Sequence, residues 1–426
     1  MPRRMFVYAD WQGLAGPRRL GTLHARTGSA RELFEFEFAK DALEDASLTG
    51  VQLDPRIGAF EGPQHATRGA ANFGVFADAS PDRWGRLLMQ RRLDRLKRAG
   101  SVERSYRLQE SDYLLGVHDA FRAGALRFRL QEEGPFLDNQ HGVAAPPFVR
   151  LRELEAASQA LEDESLTGRE PGIDEWLRML VAPGGSLGGA RPKASVADEH
   201  NNLWIAKFPS IRDSHDVGAW ELVVHSLAVA CGLAVSPARA QRFGSDRHTF
   251  MVRRFDRTSA GARLHFASAM TLTDHQDGDD ASSGASYLEI ARVLIRYGAQ
   301  TAVDLKELWS RIVFNMLVSN TDDHLRNHGF LLVPGKGWRL SQAYDMNPSP
   351  EGGGLRLNVS ESDNARDVEL ARDVAGYFRV KPRDAAAIIE RFRAVVAKWR
   401  VLAGRLGVSQ REQEWMAPAF ELAQAP

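Results

Sequence analysis

The chain has 426 residues, 55 basic and 55 acidic side chains for a formal net charge of zero, and 43% apolar residues. That length buries a sizeable core and suggests two or three domains, and the composition excludes a disordered tail. Zero net charge excludes a global attraction to nucleic acid or an anionic membrane, and no stretch approaches the ~20 apolar residues of a transmembrane helix. Cys231 is the single cysteine, so no internal disulfide forms, and its neighbours Leu227, Ala228, Val229 and Leu233 place it in a core. The start carries Arg3 and Arg4 but no apolar run of signal-peptide length, so a cytoplasmic protein with no membrane contact is expected.

In chain order, residues 5–9 and 33–38 read as strands with a Gly16-Pro17 turn between them. A helix is expected from Ser80-Pro81, with the serine as cap, the proline at the first helical position, and Trp84, Leu87 and Leu88 on the buried face. The basic run at 91–98 lies on that helical pattern and reads as a solvated face. Residues 125–130 are strand-like, and the Gly- and Pro-bearing stretch 134–147 reads as a linker. Helical patterns occupy 151–161 and 173–181. Strands follow at 193–196 and 203–208, then a helix at 217–231 and a strand at 249–254. From Tyr287 the chain is mostly helical apart from one hairpin. A β-rich first half and an α-rich second half give an α+β, two-lobed fold, divided as 1–148, 149–257 and 258–426.

The stretch 305–348 carries the chemistry. Leu305, Leu308, Trp309, Ile312, Val313, Met316 and Leu317 recur on one helical face, and the helix stops at Ser319-Asn320. The loop Thr321-Asp322-Asp323-His324-Leu325-Arg326-Asn327 follows. Strands at 330–333 and 338–340 are joined by Pro334-Gly335-Lys336-Gly337. Antiparallel strands of similar length bring their outer ends together, which places Asn327 beside Asp345 with Asp322 a turn away. A carboxylate and an amide oxygen there suit a hard divalent cation, and Asp322 suits a proton acceptor. A loop Asp, an Asn five residues later and a downstream Asp on magnesium are the wiring of phosphoryl transfer.

A phosphate-binding cover is offered by residues 183–193, Pro-Gly-Gly-Ser-Leu-Gly-Gly-Ala-Arg-Pro-Lys, whose glycine N–H groups can approach phosphate oxygens while Lys193 adds charge. It is neither a Walker loop nor G-x-G-x-x-G, and a structural glycine turn is the competing reading. Lys207 sits in a short apolar strand, with Glu221 on the next helix as its candidate ion-pair partner; two unrelated surface charges are the alternative. Residues 251–257 form the expected hinge, where adenine meets backbone groups. His324 and His328, four apart near Asp322 and Asp323, suggest a metal hydrolase, but such spacing binds a metal on a helix, and this segment follows a helix end and precedes a strand, which leaves its register open. His324 reads better as a brace whose ring hydrogen-bonds the backbone. Residues 273–280 loosely resemble a calcium loop without its closing glutamate and read as a solvated loop.

Taken together, Ser186-Leu-Gly-Gly-Ala-Arg-Pro-Lys193, Trp204-Ile-Ala-Lys207, Arg254-Phe-Asp-Arg257, Asn320-Thr-Asp-Asp-His-Leu-Arg-Asn327 and Ala343-Tyr-Asp345 resemble the HipA family of serine/threonine kinase toxins from type II toxin–antitoxin pairs. Val75-Phe-Ala-Asp-Ala-Ser-Pro-Asp-Arg-Trp-Gly-Arg86 is similar to the family's N-terminal subdomain. The resemblance implies a kinase-like fold, ATP with magnesium, and phosphorylation of a serine on a protein of translation, the family's known targets being aminoacyl-tRNA synthetases. It also implies a small helix-turn-helix antitoxin that inhibits the kinase and brings it to DNA only indirectly. By motif position Asp322 matches the catalytic base and Asn327 and Asp345 the metal ligands. Lys207 matches the nucleotide lysine, with Gly188, Gly189, Ala190, Lys193, Arg254, Phe255 and His324 completing the nucleotide set. Ser186 matches a loop serine that some members autophosphorylate, which silences them. Two departures stand out: Arg253 where some relatives carry glutamate, and Asp323 where a small residue occurs, which would raise the pKa of the base or face solvent. A catalytically weak nucleotide-binding regulator that acts as a co-repressor with the antitoxin is the alternative function.

Overall fold

The structure, a computed structural model, describes residues 3–28, 31–66, 72–137, 146–163, 172–181, 189 and 191–424. The chain forms two compact units, Met1–Arg212 with Arg253–Ala267, and Asp213–Val252 with Ser268–Pro426. The expected division at residue 148 falls inside the first unit, and the helix and strands of 213–252 group with the second.

In the first unit an antiparallel sheet runs in the order β4 (Gln64–His65), β3 (Glu32–Phe38), β2 (Arg18–Thr27), β1 (Arg3–Ala9), β5 (Leu126–Arg129). β3 shows why it forms: Phe34, Phe36 and Phe38 are buried while Leu33 and Glu37 are exposed, the period of two that a half-buried strand requires. The Phe36 ring lies 5.5 Å from Phe76, which lies 6.1 Å from Phe128, and each such ring contributes about 1.5–3 kcal/mol by burial. The sequence predicts no strand at β2, which is nonetheless central to the sheet. Gly21 and the scattered charges mask its pattern. Glycine is required there because a Cβ would lie 2.7 Å from the Phe36 ring.

The helix expected from Ser80-Pro81 begins at Arg83 and runs to Arg98. Asp82 is its cap, accepting from the Gly85 N–H at 2.8 Å, while the Ser80 hydroxyl donates back to Phe76 O at 2.8 Å. Trp84 and Leu88 are buried as expected, but Leu87 is exposed. The described start of the expected linker is held on the sheet: Leu137 N–H donates to Phe128 O at 2.9 Å, and Phe136 packs edge-on against Tyr8. Residues 138–145 lie outside the described residues. After the helices Leu151–Glu162 and Ile173–Val181, β6 (Lys193–Ala197) and β7 (Leu203–Lys207) pair antiparallel with Lys193 opposite Lys207.

In the second unit the helix Val217–Cys231 is capped by Asp216 and stopped by Gly232, whose φ of 81° is the left-handed conformation glycine adopts freely. Cys231 is buried there, and burial pushes its thiol up to about 12, so it is packing material and not a nucleophile. β8 (Ala238–Gln241), not evident from sequence, pairs antiparallel with β9 (Thr249–Arg253). The helix Thr301–Leu317 is the axis of this unit. Beyond the predicted stripe, Ser310, Arg311 and Asn315 are buried too, because the helices Tyr287–Tyr297, Val368–Asp373 and Pro382–Val396 all pack on it. The hairpin β11 (Gly329–Val333) and β12 (Gly337–Leu340) follows with Phe330 opposite Leu340, as the sequence predicts. No described helix is long and apolar enough to cross a membrane.

Candidate active site

The helix Thr301–Leu317 ends in a bend that aims the Asp loop. Asn320 N–H donates to Asn315 O at 2.9 Å, and Ser319 takes a φ of +51°, unusual for a residue with a side chain. Downstream, the Asp322 carbonyl accepts from His324 N–H at 2.9 Å and from Asn327 Nδ2 at 3.2 Å. The loop therefore closes on its own backbone. The Asp322 carboxylate stays exposed and makes no hydrogen bond or ion pair with the described residues. Asn327 is buried, and with Nδ2 engaged its Oδ1 is the atom able to ligate a cation.

The hairpin brings the second acidic residue alongside. Below the Phe330–Leu340 pair, Ser341 N–H donates to Gly329 O at 2.8 Å, and the Tyr344 hydroxyl donates to Arg326 O at 2.7 Å. Tyr344 and Arg326 immediately precede Asp345 and Asn327. Asn347 then links the two segments: its N–H donates to Asn320 Oδ1 at 3.3 Å and its Nδ2 to Asp345 Oδ1 at 3.4 Å. Asp345 has a φ of +58°, so its conformation is held by these contacts. One amide oxygen and one carboxylate could hold magnesium, which takes few protein oxygens and leaves room for phosphate.

Asp323 corrects the sequence expectation. It neither faces solvent nor sits beside the base as a stray charge. It is buried beneath the loop, where its Oδ2 accepts from Tyr287 OH at 2.6 Å, Asn315 Nδ2 at 2.7 Å and His328 Nε2 at 2.8 Å. Burial opposes its ionisation, yet the His328 ring and these donors hold its carboxyl below the usual range. His328 is thus a partner of Asp323, and no group of three or more His, Cys, Asp or Glu able to hold a metal occurs among the described residues. His324 does not brace the backbone: its Nδ1 is buried without a hydrogen-bond partner among the described residues.

Upstream, two residues of the expected nucleotide set are engaged by other protein groups. Lys193 is buried, its Nζ 3.0 Å from Asp82 Oδ2, and its carbonyl accepts from Trp84 Nε1 at 3.0 Å. The lysine therefore neutralises the carboxylate that caps the helix. Gly189 has a φ of +88°, and a Cβ there would lie 3.2 Å from Lys193 Nζ, so glycine is required above the ammonium. Ser186, Gly188 and Ala190 lie outside the described residues. Arg254 is likewise buried: it pairs with Asp256 at 2.7 Å and donates to Phe121 O at 2.7 Å, a clamp within the first unit. Phe255 is half-buried, 6.0 Å from Phe266, and Arg253 donates to Asn202 Oδ1 at 2.6 Å. Lys207 is half-buried at the end of β7 in the first unit, and Glu221 is buried on the helix Val217–Cys231 of the second.

The loop 273–280, expected to be solvated, is tied down by ion pairs. His275 bridges Asp279 and Glu289 at 2.9 Å each, and Asp277 pairs with Arg326 of the Asp loop at 3.5 Å. Its hydrogen bond with Glu289 is the main cause raising the His275 pKa to about 9.

Parts of the chain are similar to known proteins. A family model described as the HipA-like C-terminal domain matches residues 185–399. A "Putative kinase" of Haemophilus influenzae is 29% identical over 110 residues, 24% of this chain and 32% of that protein. "Putative kinase Y4mE" of Sinorhizobium fredii is 28% identical over 149 residues, 33% of each chain. This chain therefore aligns with about a third of the length of either relative. HipA of Shewanella oneidensis MR-1, solved in a complex with HipB and operator DNA, superposes with a TM-score of 0.62 at 14% identity, covering 98% of this chain and 95% of that one. That likeness establishes a shared α+β, kinase-like fold.

Proposed function

The chain belongs to the family of HipA-like C-terminal domains, and from that premise we propose that it is an ATP-dependent serine/threonine protein kinase. The observation that carries the reading is the convergence of Asp322, Asn327 and Asp345 on one loop and hairpin, tied by Tyr344, Arg326 and Asn347. Asp322, exposed and unpaired among the described residues, accepts the proton as the substrate hydroxyl oxygen forms its bond to the γ-phosphorus; the bond from that phosphorus to the bridging oxygen breaks and ADP leaves. Asn327 and Asp345 would hold magnesium, which when bound neutralises phosphate charge. Lys207 is assigned to the α- and β-phosphates by motif position.

The substrate class is a protein of translation such as an aminoacyl-tRNA synthetase, and Ser186 is the candidate inactivating autophosphorylation site. The Shewanella HipA was solved with HipB and DNA. By analogy this chain acts as a toxin held by a helix-turn-helix antitoxin, and meets DNA through it, in the cytoplasm. The test is incubation with γ-labelled ATP and cell lysate, followed by mapping of modified serines. Wild type should label a discrete protein and Asp322→Asn should not. Equal labelling by both would remove Asp322 from the role.

A further inference from the structure

Ser319 is a junction that the phosphoryl-transfer chemistry alone does not explain. Its hydroxyl donates to Ala419 O at 2.6 Å and accepts from Arg366 Nη1, while its carbonyl accepts from Ser349 N–H at 3.0 Å. It is fully buried in a left-handed conformation that disfavours any residue with a Cβ, so its surroundings must hold it there. The next residue, Asn320, takes the hydrogen bond from Asn347. This dipeptide therefore sits between the Asp322 loop on one side and the Asp345 segment on the other.

The support behind it is the turn Ala417–Ala423. Phe420 stacks on Trp399 at 4.5 Å with planes 15° apart and lies 6.1 Å from Trp220, which anchors the turn in the aromatic core of the second unit. The Arg366 guanidinium spans the gap: one nitrogen goes to the Ser319 hydroxyl and the other lies 2.8 Å from Glu421, with only 10% of the arginine side chain exposed. A planar fork suits this because both donors are fixed relative to each other, which a lysine cannot reproduce.

We propose that Arg366 is a positioning residue, which with the turn Ala417–Ala423 sets the conformation of the Asp322 loop through Ser319. The inference rests on the kinase reading for its catalytic consequence only; the effect on the loop stands independently. Displacing a catalytic loop by about 1 Å lowers rate on the order of 10²-fold.

The experiment uses the full chain as wild type, Arg366→Met, Arg366→Lys and Ser319→Gly. Amide hydrogen exchange is read over residues 317–328, and phosphate transfer is read as kcat and KM for ATP. Ser319→Gly keeps the backbone conformation while deleting both hydroxyl contacts, so it serves if Arg366→Met fails to fold. Expected are faster exchange confined to 317–328, a fall in kcat of about 10- to 100-fold at nearly unchanged KM, and partial recovery in Arg366→Lys. Wild-type exchange over 317–328 in both Arg366→Met and Ser319→Gly would overturn the proposal, as would uniform loosening of the whole chain. If wild type transfers no phosphate, the kinase reading fails while the exchange result still decides the loop's dependence on Arg366.

Discussion

Asp323 and His328 face each other beneath the Asp322 loop, with His328 Nε2 2.8 Å from the Asp323 carboxylate and both side chains sealed from water. Their sequence neighbours Asp322 and Asn327 are the proposed base and ligand. The pair thus sets the loop's shape from below while adjacent residues act above it. Removing one partner leaves the other short of a buried hydrogen bond, so Asp323→Asn or His328→Leu is expected to destabilise the protein by about 1–3 kcal/mol in denaturant unfolding. The double variant should lose less than the sum of the two, because the partners are in contact. Additive losses would show that the two side chains act separately.

Lys193 and Lys207 stand opposite each other across β6 and β7, yet they are expected to fail in different ways. Lys193→Met leaves the buried Asp82 cap unpaired and should reduce stability by about 3–5 kcal/mol. Lys207→Met should abolish phosphate transfer with a smaller loss of stability. Thermal unfolding and transfer assays on the two variants separate these roles. A stable, inactive Lys193→Met would return that lysine to the nucleotide.

The His275 bridge makes one part of the stability depend on pH. Its folded pKa of about 9 exceeds the unfolded value near 6.5. The stabilisation is therefore complete below about pH 6.5 and is lost as pH rises through about 9. The gap in Tm between wild type and His275→Gln should shrink from pH 7 to pH 10. A gap that stays constant would show that protonation of His275 contributes nothing.

Much of this was legible in the sequence, for identifiable reasons. The helix before Ser319 and the hairpin after Asn327 carry clean periodicities and a glycine turn, and the antiparallel register then dictates where Asp345 arrives. β2 was not legible because a central strand packed closely against β3 needs Gly21, which reads locally as a turn. The fates of Lys193 and Arg254 were hidden for another reason: their partners Asp82 and Phe121 lie over a hundred residues away. No local pattern distinguishes a lysine that binds phosphate from one that neutralises a helix cap. Asp323 was similarly ambiguous until Tyr287 and Asn315 were seen to converge on it. Ser319 gave no signal at all, since its φ and its contacts with Arg366 and Ala419 exist only in the folded chain.

The central claim is that Asn327 and Asp345 grip one magnesium–nucleotide unit beside Asp322. Calorimetric titration of ATP into the protein, with and without magnesium, tests it most directly. Wild type and Asp322→Asn should bind ATP more tightly with the metal present, whereas Asn327→Ala and Asp345→Ala should lose that dependence. Magnesium-enhanced binding that survives in Asp345→Ala would contradict the account.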